Sequence, residues 1–311
     1  MFTIKQPPCI IFGTNSMNDY AFPRNSLIIT SSGARSRNWL SYFDVNENLL
    51  FDSVESNPSM TTVEKVIYQF KNLNFENIIG IGGGSVLDVT KFVASKLNKK
   101  KILIPTTFGS GSEVTRISVL KIDNKKKSFH DDKLISDVSI IDPIFLKETP
   151  ISVYRNSAID ACAQASEGYD SRLANTYTKF LCSKGFDYLE KGILEKSSED
   201  LAYGSLLTGL GFGNCSTTLG HALSYPFSNE GISHGHALAF TTTVAHNFNN
   251  SKFYNRFSNI VKKLNFPSIT LQQDVNTAAD IIMTDRKHLD NNPKPVTKSL
   301  VIDLLNKVKN T

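Results

Sequence analysis

Little in this sequence could staple a fold together or anchor it in a bilayer. Its four cysteines, Cys9, Cys162, Cys182 and Cys215, are widely separated and include no C-x-x-C pair. That argues against a disulfide framework and fits a reducing compartment. No run approaches the roughly 18 apolar residues of a membrane span, and the opening MFTIKQPPCIIFG lacks the charged flank, long apolar core and cleavage site of a secretory leader. The expected location is the cytoplasm, with no membrane partner. Charge of one sign is also scarce. The formal excess is only +5, and the lysines fall into short clusters, Lys99-Lys100-Lys101 and Lys125-Lys126-Lys127, without interleaved aromatics. Such clusters read as solvated loop edges, and no nucleic-acid partner is expected. Neither a repeat of fixed period nor a low-complexity tract is present.

What the chain does have is 40% hydrophobic residues over 311 positions, enough to bury a core in one large or two ordinary domains. The first half alternates short apolar runs with amphipathic stretches, the pattern of βα units feeding a parallel sheet. Strands are expected at Ser26 to Thr30, Asn48 to Phe51, Asn77 to Ile81 and Ile102 to Pro105. Between them, one helix starts near Val63, with Thr61 and Thr62 as capping candidates, and another runs from Val86 to Leu97. After Pro150 the strand-like runs give way to Ala-, Leu- and Ser-rich segments with helical spacing. Two domains are therefore expected, residues 1–150 and 151–311, with a cleft between them. The Asn-rich stretches Asn247 to Asn250 and Asn291-Asn292-Pro293 read as surface turns.

Gly80-Ile81-Gly82-Gly83-Gly84-Ser85 stands where a strand meets a helix N-terminus. Glycines there permit positive φ and leave backbone N–H groups uncovered, which is what a pyrophosphate requires. A plain structural turn is the competing reading. The stretch also departs from the ordinary dinucleotide fingerprint, since Lys99-Lys100-Lys101 follows where an acidic residue is usual. A second glycine- and hydroxyl-rich element, PTTFGSGSEVT from Pro105 to Thr115, follows the next strand and can offer hydrogen bonds to phosphate or ribose oxygens.

Together, Gly82-Gly83-Gly84-Ser85 with Asp88 and Lys91, then PTTFGSGSEVT, resemble the paired signature of the iron-containing alcohol dehydrogenase family. The resemblance runs from Pro7-Pro8 to Pro295-Val296-Thr297, with gaps. It implies a parallel-sheet α/β dinucleotide-binding domain followed by an all-helical metal domain. By position, Gly82, Gly83, Gly84, Ser85, Asp88, Thr106, Thr107 and Ser110 would contact the cofactor, with Lys126 a further member. Where NAD-preferring members carry an Asp for the adenosine ribose, this chain has Ser31, followed by Arg35 and Arg37. NADP(H) is therefore favoured over NAD(H), because no carboxylate repels a 2′-phosphate and an arginine can pair with it.

The same resemblance extends to the second half. Asp160-Ala-Cys-Ala-Gln164-Ala-Ser-Glu167 is similar to the family's D-A-x-x-H-x-x-E helix, and Asp160 and Gln164, four apart, share a helical face. His221-Ala-Leu-Ser-Tyr225 and His234-Gly235-His236 resemble the two remaining histidine motifs. The implied metal set is Asp160, Gln164, His221 and His234, around Fe²⁺ or Zn²⁺. Gln164 replaces the usual histidine, and an amide oxygen is the weaker ligand. Tyr225 and His236 are the proton-relay candidates, with packing roles as the alternative.

The implied reaction interconverts a small aldehyde and its primary alcohol. HALSYPFSNEGISHGHALAF, with Gln164 and Arg116, is closer to the phosphonoacetaldehyde reductase branch than to lactaldehyde or glycerol dehydrogenases, and Arg116 and Lys294 are then candidates for the phosphonate, or else surface charges. The alternatives are a polyol-phosphate dehydrogenase or lyase of the same fold, or a degenerate, non-catalytic member. The second of these is suggested by Gln164 and by a helical half that looks short around Glu190 to Ser197 and Asn265 to Asp274. A homodimer is the expected assembly.

Overall fold

The computed structural model describes residues 1–123 and 125–308. Its packing divides into two units, the first from Thr3 to Thr149 and the second from Pro150 on. Among the described residues no helix is long and apolar enough to cross a membrane.

The first unit contains β1 (Cys9–Phe12), α1 (Ser16–Asp19), β2 (Ser26–Ile29), β3 (Leu50–Phe51), α2 (Met60–Phe70), β4 (Asn77–Gly82), α3 (Gly84–Leu97), β5 (Lys100–Pro105), β6 (Ile117–Ile122), β7 (Lys125–His130) and β8 (Val138–Ile141). Six strands form one all-parallel sheet in the order β1-β8-β5-β4-β2-β3, while β6 and β7 pair as an antiparallel ribbon. The strands buried on both faces read as continuous apolar runs because both faces are covered. On one face Leu27, Ile29 and Ile78 pack against Val63, Val66 and Phe70 of α2 and Val86, Val89 and Val93 of α3. On the other, Ile28, Ile79, Ile81, Ile102 and Ile104 pack under an irregular, aromatic-rich segment that includes Tyr20, Phe22 and Trp39. The sheet grows outward from β2 to β3 on one side and from β4 through β5 to β8 on the other. The order thus reverses between β2 and β4, where parallel sheets open a crevice at their carboxyl ends. Ile29 lies opposite Gly80 in that register, so the segments leaving β2 at Ser31 and β4 at Gly82 emerge side by side.

Four expectations need correction here. The cap of α2 is Ser59, whose Oγ accepts from Thr62 N at 3.2 Å, so the hydroxyl ahead of the helix serves rather than Thr61 or Thr62. Lys125-Lys126-Lys127 is not a loop edge but the start of β7. Asn247 and Asn249 close a helix, His234–Asn249, instead of forming a turn. Asn291 and Asn292 are buried. The Asn291 amide donates to the carbonyls of Cys215 and Thr217, and Asn292 exchanges amide hydrogen bonds with Asn249.

The second unit contains α4 (Ile151–Asp170), α5 (Thr176–Glu195), α6 (Ser198–Phe212), α7 (Leu219–Asn229), α8 (His234–Asn249), α9 (Tyr254–Leu264), α10 (Val275–Met283), α11 (Arg286–Asn291) and α12 (Lys298–Val308). From Ala158 to Gly168 nearly every residue of α4 is buried. A helix covered all round is a central one, and α5, α6, α7, α8 and α9 all pack on it. Its small residues let those helices approach closely. Its polar residues Asn156, Asp160, Gln164 and Glu167 recur at spacings of four, four and three, and so form one stripe. That stripe builds the site.

Candidate functional site

In the first unit the nucleotide loops are brought together. Gly83 is the N-cap residue of α3 and caps it with no side chain, leaving the first-turn N–H groups of a 14-residue helix available to an anion. The two glycine-rich elements touch. A Cβ on Gly84 would come 2.9 Å from the Ser110 side chain, and one on Gly83 would come 3.2 Å from Thr107 Oγ1. Thr106 Oγ1 is buried and finds no hydrogen-bond partner among the described residues. An orphaned hydroxyl beside an open helix N-terminus fits a ribose or phosphate oxygen.

Other expected cofactor residues have side chains with partners within the protein. Asp88 is turned inward: its carboxylate accepts from Ser112 Oγ at 2.6 Å and Val119 N at 2.9 Å, with Lys91 Nζ 3.3 Å away. It therefore braces α3 against the PTTFGSGSEVT segment and β6. Ser85 Oγ accepts from Asn57 N at 3.2 Å. Lys126 lies within the ribbon opposite Lys121. Near Ser31, Arg35 is bound by Glu47 at 2.6 Å and Asp52 at 3.3 Å, while the Arg37 guanidinium sits 5.0 Å from the centre of the Trp39 ring. Both arginines thus already have partners, though the pairs around Arg35 are solvent-exposed and weak.

In the second unit Asp160, His221 and His234 converge, each offering one ligand atom, and all three atoms lie within 4.8 Å of one another. Asp160 Oδ1 is 3.7 Å from His221 Nε2 and 3.8 Å from His234 Nε2. Donors bonded at about 2.0–2.2 Å to a single cation lie roughly 3–3.5 Å apart, so contraction by a few tenths of an ångström would bring Asp160 to that separation from each histidine. Gln164 Nε2 donates to Asp160 Oδ1 at 3.0 Å, and its Oε1 is buried without a donor among the described residues. That unsatisfied oxygen belongs to an amide in contact with a ligand carboxylate, and it needs a donor or a cation.

The neighbouring helices hold this geometry through α4. Asn156 Oδ1 accepts from Ser233 Oγ at 2.6 Å and from His236 N at 2.9 Å, pinning the start of α8 where His234 stands. Glu167, 1% exposed, accepts from Thr218 Oγ1 at 2.9 Å, from Gly220 N and from His221 Nδ1. Gly220 is required for this approach, since a Cβ there would meet Glu167 Oε1 at 2.7 Å and Thr242 Cα at 2.8 Å. Burial alone would raise the Glu167 carboxyl, but the charge and hydrogen bond of His221 outweigh it and hold the group at about 2. His221 moves the other way, to about 9, because Glu167 and Asp160 overcome the opposing effect of burial.

Sequence reasoning placed Glu167 in the D-A-x-x-H-x-x-E motif without giving it a role, and it passed over His288. The His288 ring is stacked 6.2 Å from that of His221 at 17° and lies 6.0 Å from Tyr225, with Nδ1 2.6 Å from Asp285 Oδ2. The Asp285-x-x-His288 spacing was the available signal. Tyr225 is held above the ordinary phenol range, first by burial and then by Asp285 and Glu167, so its proton is retained. His236, the other relay candidate, turns elsewhere: its Nε2 meets Pro267 O at 2.6 Å and its ring stacks on Phe266. Two expected phosphonate contacts are likewise engaged. Arg116 pairs with Asp132 at 3.1 Å, and Lys294 Nζ donates to Phe248 O at 2.6 Å while lying over the Phe248 ring.

Comparison with known proteins agrees with this architecture. Residues 7–143 match the profile of the iron-containing alcohol dehydrogenase family, and residues 155–289 match that of its C-terminal part. The chain is 34% identical over 209 residues to 4-hydroxybutyrate dehydrogenase of Clostridium kluyveri, covering 58% of this chain and 56% of that one. It is 34% identical over 220 residues to long-chain-alcohol dehydrogenase 1 of Geobacillus thermodenitrificans, covering 61% and 56%. It thus spans about half the length of these curated relatives. The crystal structure of sulfoacetaldehyde reductase from Bifidobacterium kashiwanohense in complex with NAD⁺ has the same fold, with a TM-score of 0.89 at 21% identity, covering 100% of this chain and 99% of that one. With one family matched across both units, the chain belongs to the iron-containing alcohol dehydrogenase family.

Proposed function

We propose that this protein is a metal-dependent NAD(P)(H) oxidoreductase that interconverts a small aldehyde and its primary alcohol. The observation that carries this reading is the convergence of Asp160, His221 and His234 from three helices. A carboxylate and two imidazoles suit Fe²⁺ or Zn²⁺, with Gln164 Oε1 as a further oxygen donor. When bound, such an ion polarises a carbonyl oxygen and stabilises the alkoxide, and the dihydronicotinamide supplies hydride. The protein's own groups do the rest. The N-terminus of α3 and Thr106 hold the nucleotide, Glu167 and Asn156 orient the two histidines, and Tyr225 keeps a phenolic proton next to His288 for transfer to the product oxygen.

Coenzyme and substrate class follow from finer features. Ser31 puts no carboxylate at the end of β2, which supports NADP(H) over NAD(H). The names of two similar proteins, 4-hydroxybutyrate dehydrogenase and sulfoacetaldehyde reductase, describe substrates with an acidic group at the far end. That supports a small acid-bearing aldehyde, with phosphonoacetaldehyde the first to try. Lys294 is committed to the Phe248 carbonyl and ring, whereas Arg116 has only a half-exposed pair with Asp132 and a buried Nε without a partner among the described residues, so Arg116 is the candidate for the acidic group.

The test is metal analysis of the purified protein together with NADPH and NADH consumption on propanal, succinic semialdehyde, sulfoacetaldehyde and phosphonoacetaldehyde. Metal-dependent turnover that disappears in Asp160→Asn supports the reading. Absence of both metal binding and turnover would leave a non-catalytic family member in its place.

A further inference from the structure

Glu167 lies outside the set of ligand atoms, yet it is more completely buried than any of them, and each of its oxygens is spoken for. Oε1 takes the Thr218 hydroxyl and Gly220 N, where α7 begins. Oε2 takes His221 Nδ1. Fastening α7 needs only the first oxygen. The second acts on the ring that presents Nε2 to Asp160 and His234. An imidazole turned over would present carbon in place of Nε2, and a hydrogen bond at Nδ1 excludes that orientation. Packing alone does not exclude it, because His288 stacks on the ring face and is blind to which edge carries the nitrogens.

We propose that Glu167 is the positioning residue of this centre: by accepting the Nδ1–H of His221 it leaves Nε2 as the ligand nitrogen and sets how tightly the site holds a divalent cation. The inference rests on reading Asp160, His221 and His234 as ligands. Outer carboxylates of this kind raise the basicity of a bound imidazole as well as fixing its orientation. The effect weighs more in this chain because position 164 offers a neutral amide, and two imidazoles carry the nitrogen share of the affinity. The arrangement also explains the local sequence. Glu167 stands seven residues after Asp160 on the same stripe of α4, so one helix supplies both the oxygen ligand and the group that orients the nitrogen ligand of another.

The experiment compares Co²⁺ binding by wild type, Glu167→Gln and Thr218→Val, using a competing chelator for affinity and the visible absorption of the Co²⁺ protein as a signature of coordination. Glu167→Gln is expected to weaken Co²⁺ binding by about 10- to 100-fold and to alter the spectrum. Thr218→Val removes only a bond to the other oxygen and is expected to leave both readouts near wild type even if its melting temperature falls. Unchanged affinity and spectrum in folded Glu167→Gln overturn the proposal, as does an equal loss in both variants, which would assign the carboxylate to holding α7. Should Glu167→Gln fail to fold, nitrogen-15 NMR of the wild-type Zn²⁺ protein decides. The expected signal is a slowly exchanging Nδ1–H on His221, and metal on Nδ1 overturns the idea. A wild type that binds no Co²⁺ at all defeats the ligand assignment itself, a result distinct from a variant that binds normally.

Discussion

Glu113, in the second glycine-rich segment, is 3% exposed. Burial raises its carboxyl to about 7, against backbone hydrogen bonding and nearby Lys91, which pull it down. In the unfolded chain the same group titrates near its ordinary value of 4.5. Stability from the protonated side chain is therefore complete below pH 4.5 and is lost as pH rises through about 7. A gap of that size corresponds to roughly 3 kcal/mol on the alkaline side. Glu113→Gln is accordingly expected to be more stable than wild type at pH 8.5 and no more stable at pH 5, as read by urea denaturation, and a difference that ignores pH would refute this assignment. A second residue-scale expectation concerns Ser31. Ser31→Asp places a carboxylate where a 2′-phosphate would lie, so the KM for NADPH should rise at least about tenfold, ~1.4 kcal/mol, with NADH little affected. Equal changes for both coenzymes would remove Ser31 from the coenzyme site. At this scale the sequence was legible where residues act through spacing and opaque where they act through contact. Asp160, His221 and His234 sit in recognisable motifs. Glu167 acquires its meaning only when folding brings it to a histidine 54 positions away, and Arg116 and Lys294 read as free cations until their partners are visible.

Among the elements, α4 and α8 show how the site depends on helix ends. Ser233, the N-cap residue of α8, makes no side-chain cap of its own. Asn156 supplies the missing acceptor from α4, bonding His236 N and the Ser233 hydroxyl. Asn156→Ala should thus cost about 1–2 kcal/mol, the usual worth of a cap, and loosen the helix end that carries His234. The expected result is a lower urea midpoint at unchanged slope, with Co²⁺ affinity reduced severalfold. A stability loss without any change in affinity would separate His234 from the cap. Element reading from sequence succeeded in type for β2, β4, β5 and α3, whose apolar runs are plain, although β5 and α3 each begin two residues earlier than expected, at Lys100 and Gly84. It missed β7, because Lys125-Lys126-Lys127-Ser128 has neither apolar alternation nor a buried face and becomes a strand only by pairing with β6. It passed over β1 and β8, whose run of parallel pairs, from Cys9 opposite Val138 to Phe12 opposite Ile141, is invisible in either segment alone.

Over the whole molecule, the nucleotide loops belong to the unit from Thr3 to Thr149 and the metal ligands to the unit from Pro150 on. Each unit has its own core, so each ligand should order its own region. At a hundredfold excess over its dissociation constant a ligand stabilises the state it binds by about 2.7 kcal/mol, and local opening is suppressed where that ligand makes its contacts. Hydrogen–deuterium exchange can resolve the two effects. NADPH alone is expected to slow exchange in the segments around Gly82 to Val86 and Thr106 to Ser112, because the backbone N–H groups at the start of α3 would be occupied. A divalent cation alone should slow exchange in α4 between Asp160 and Gly168 and at the starts of α7 and α8, where Gly220 N and His236 N are tied to the carboxylate and amide that orient the two histidines. Protection of both regions by either ligand alone would mean that the units are coupled in binding. Cation protection confined to the first unit would contradict the assignment of the metal to Asp160, His221 and His234, since no redistribution of stability within the helical unit could leave its own ligand residues unprotected.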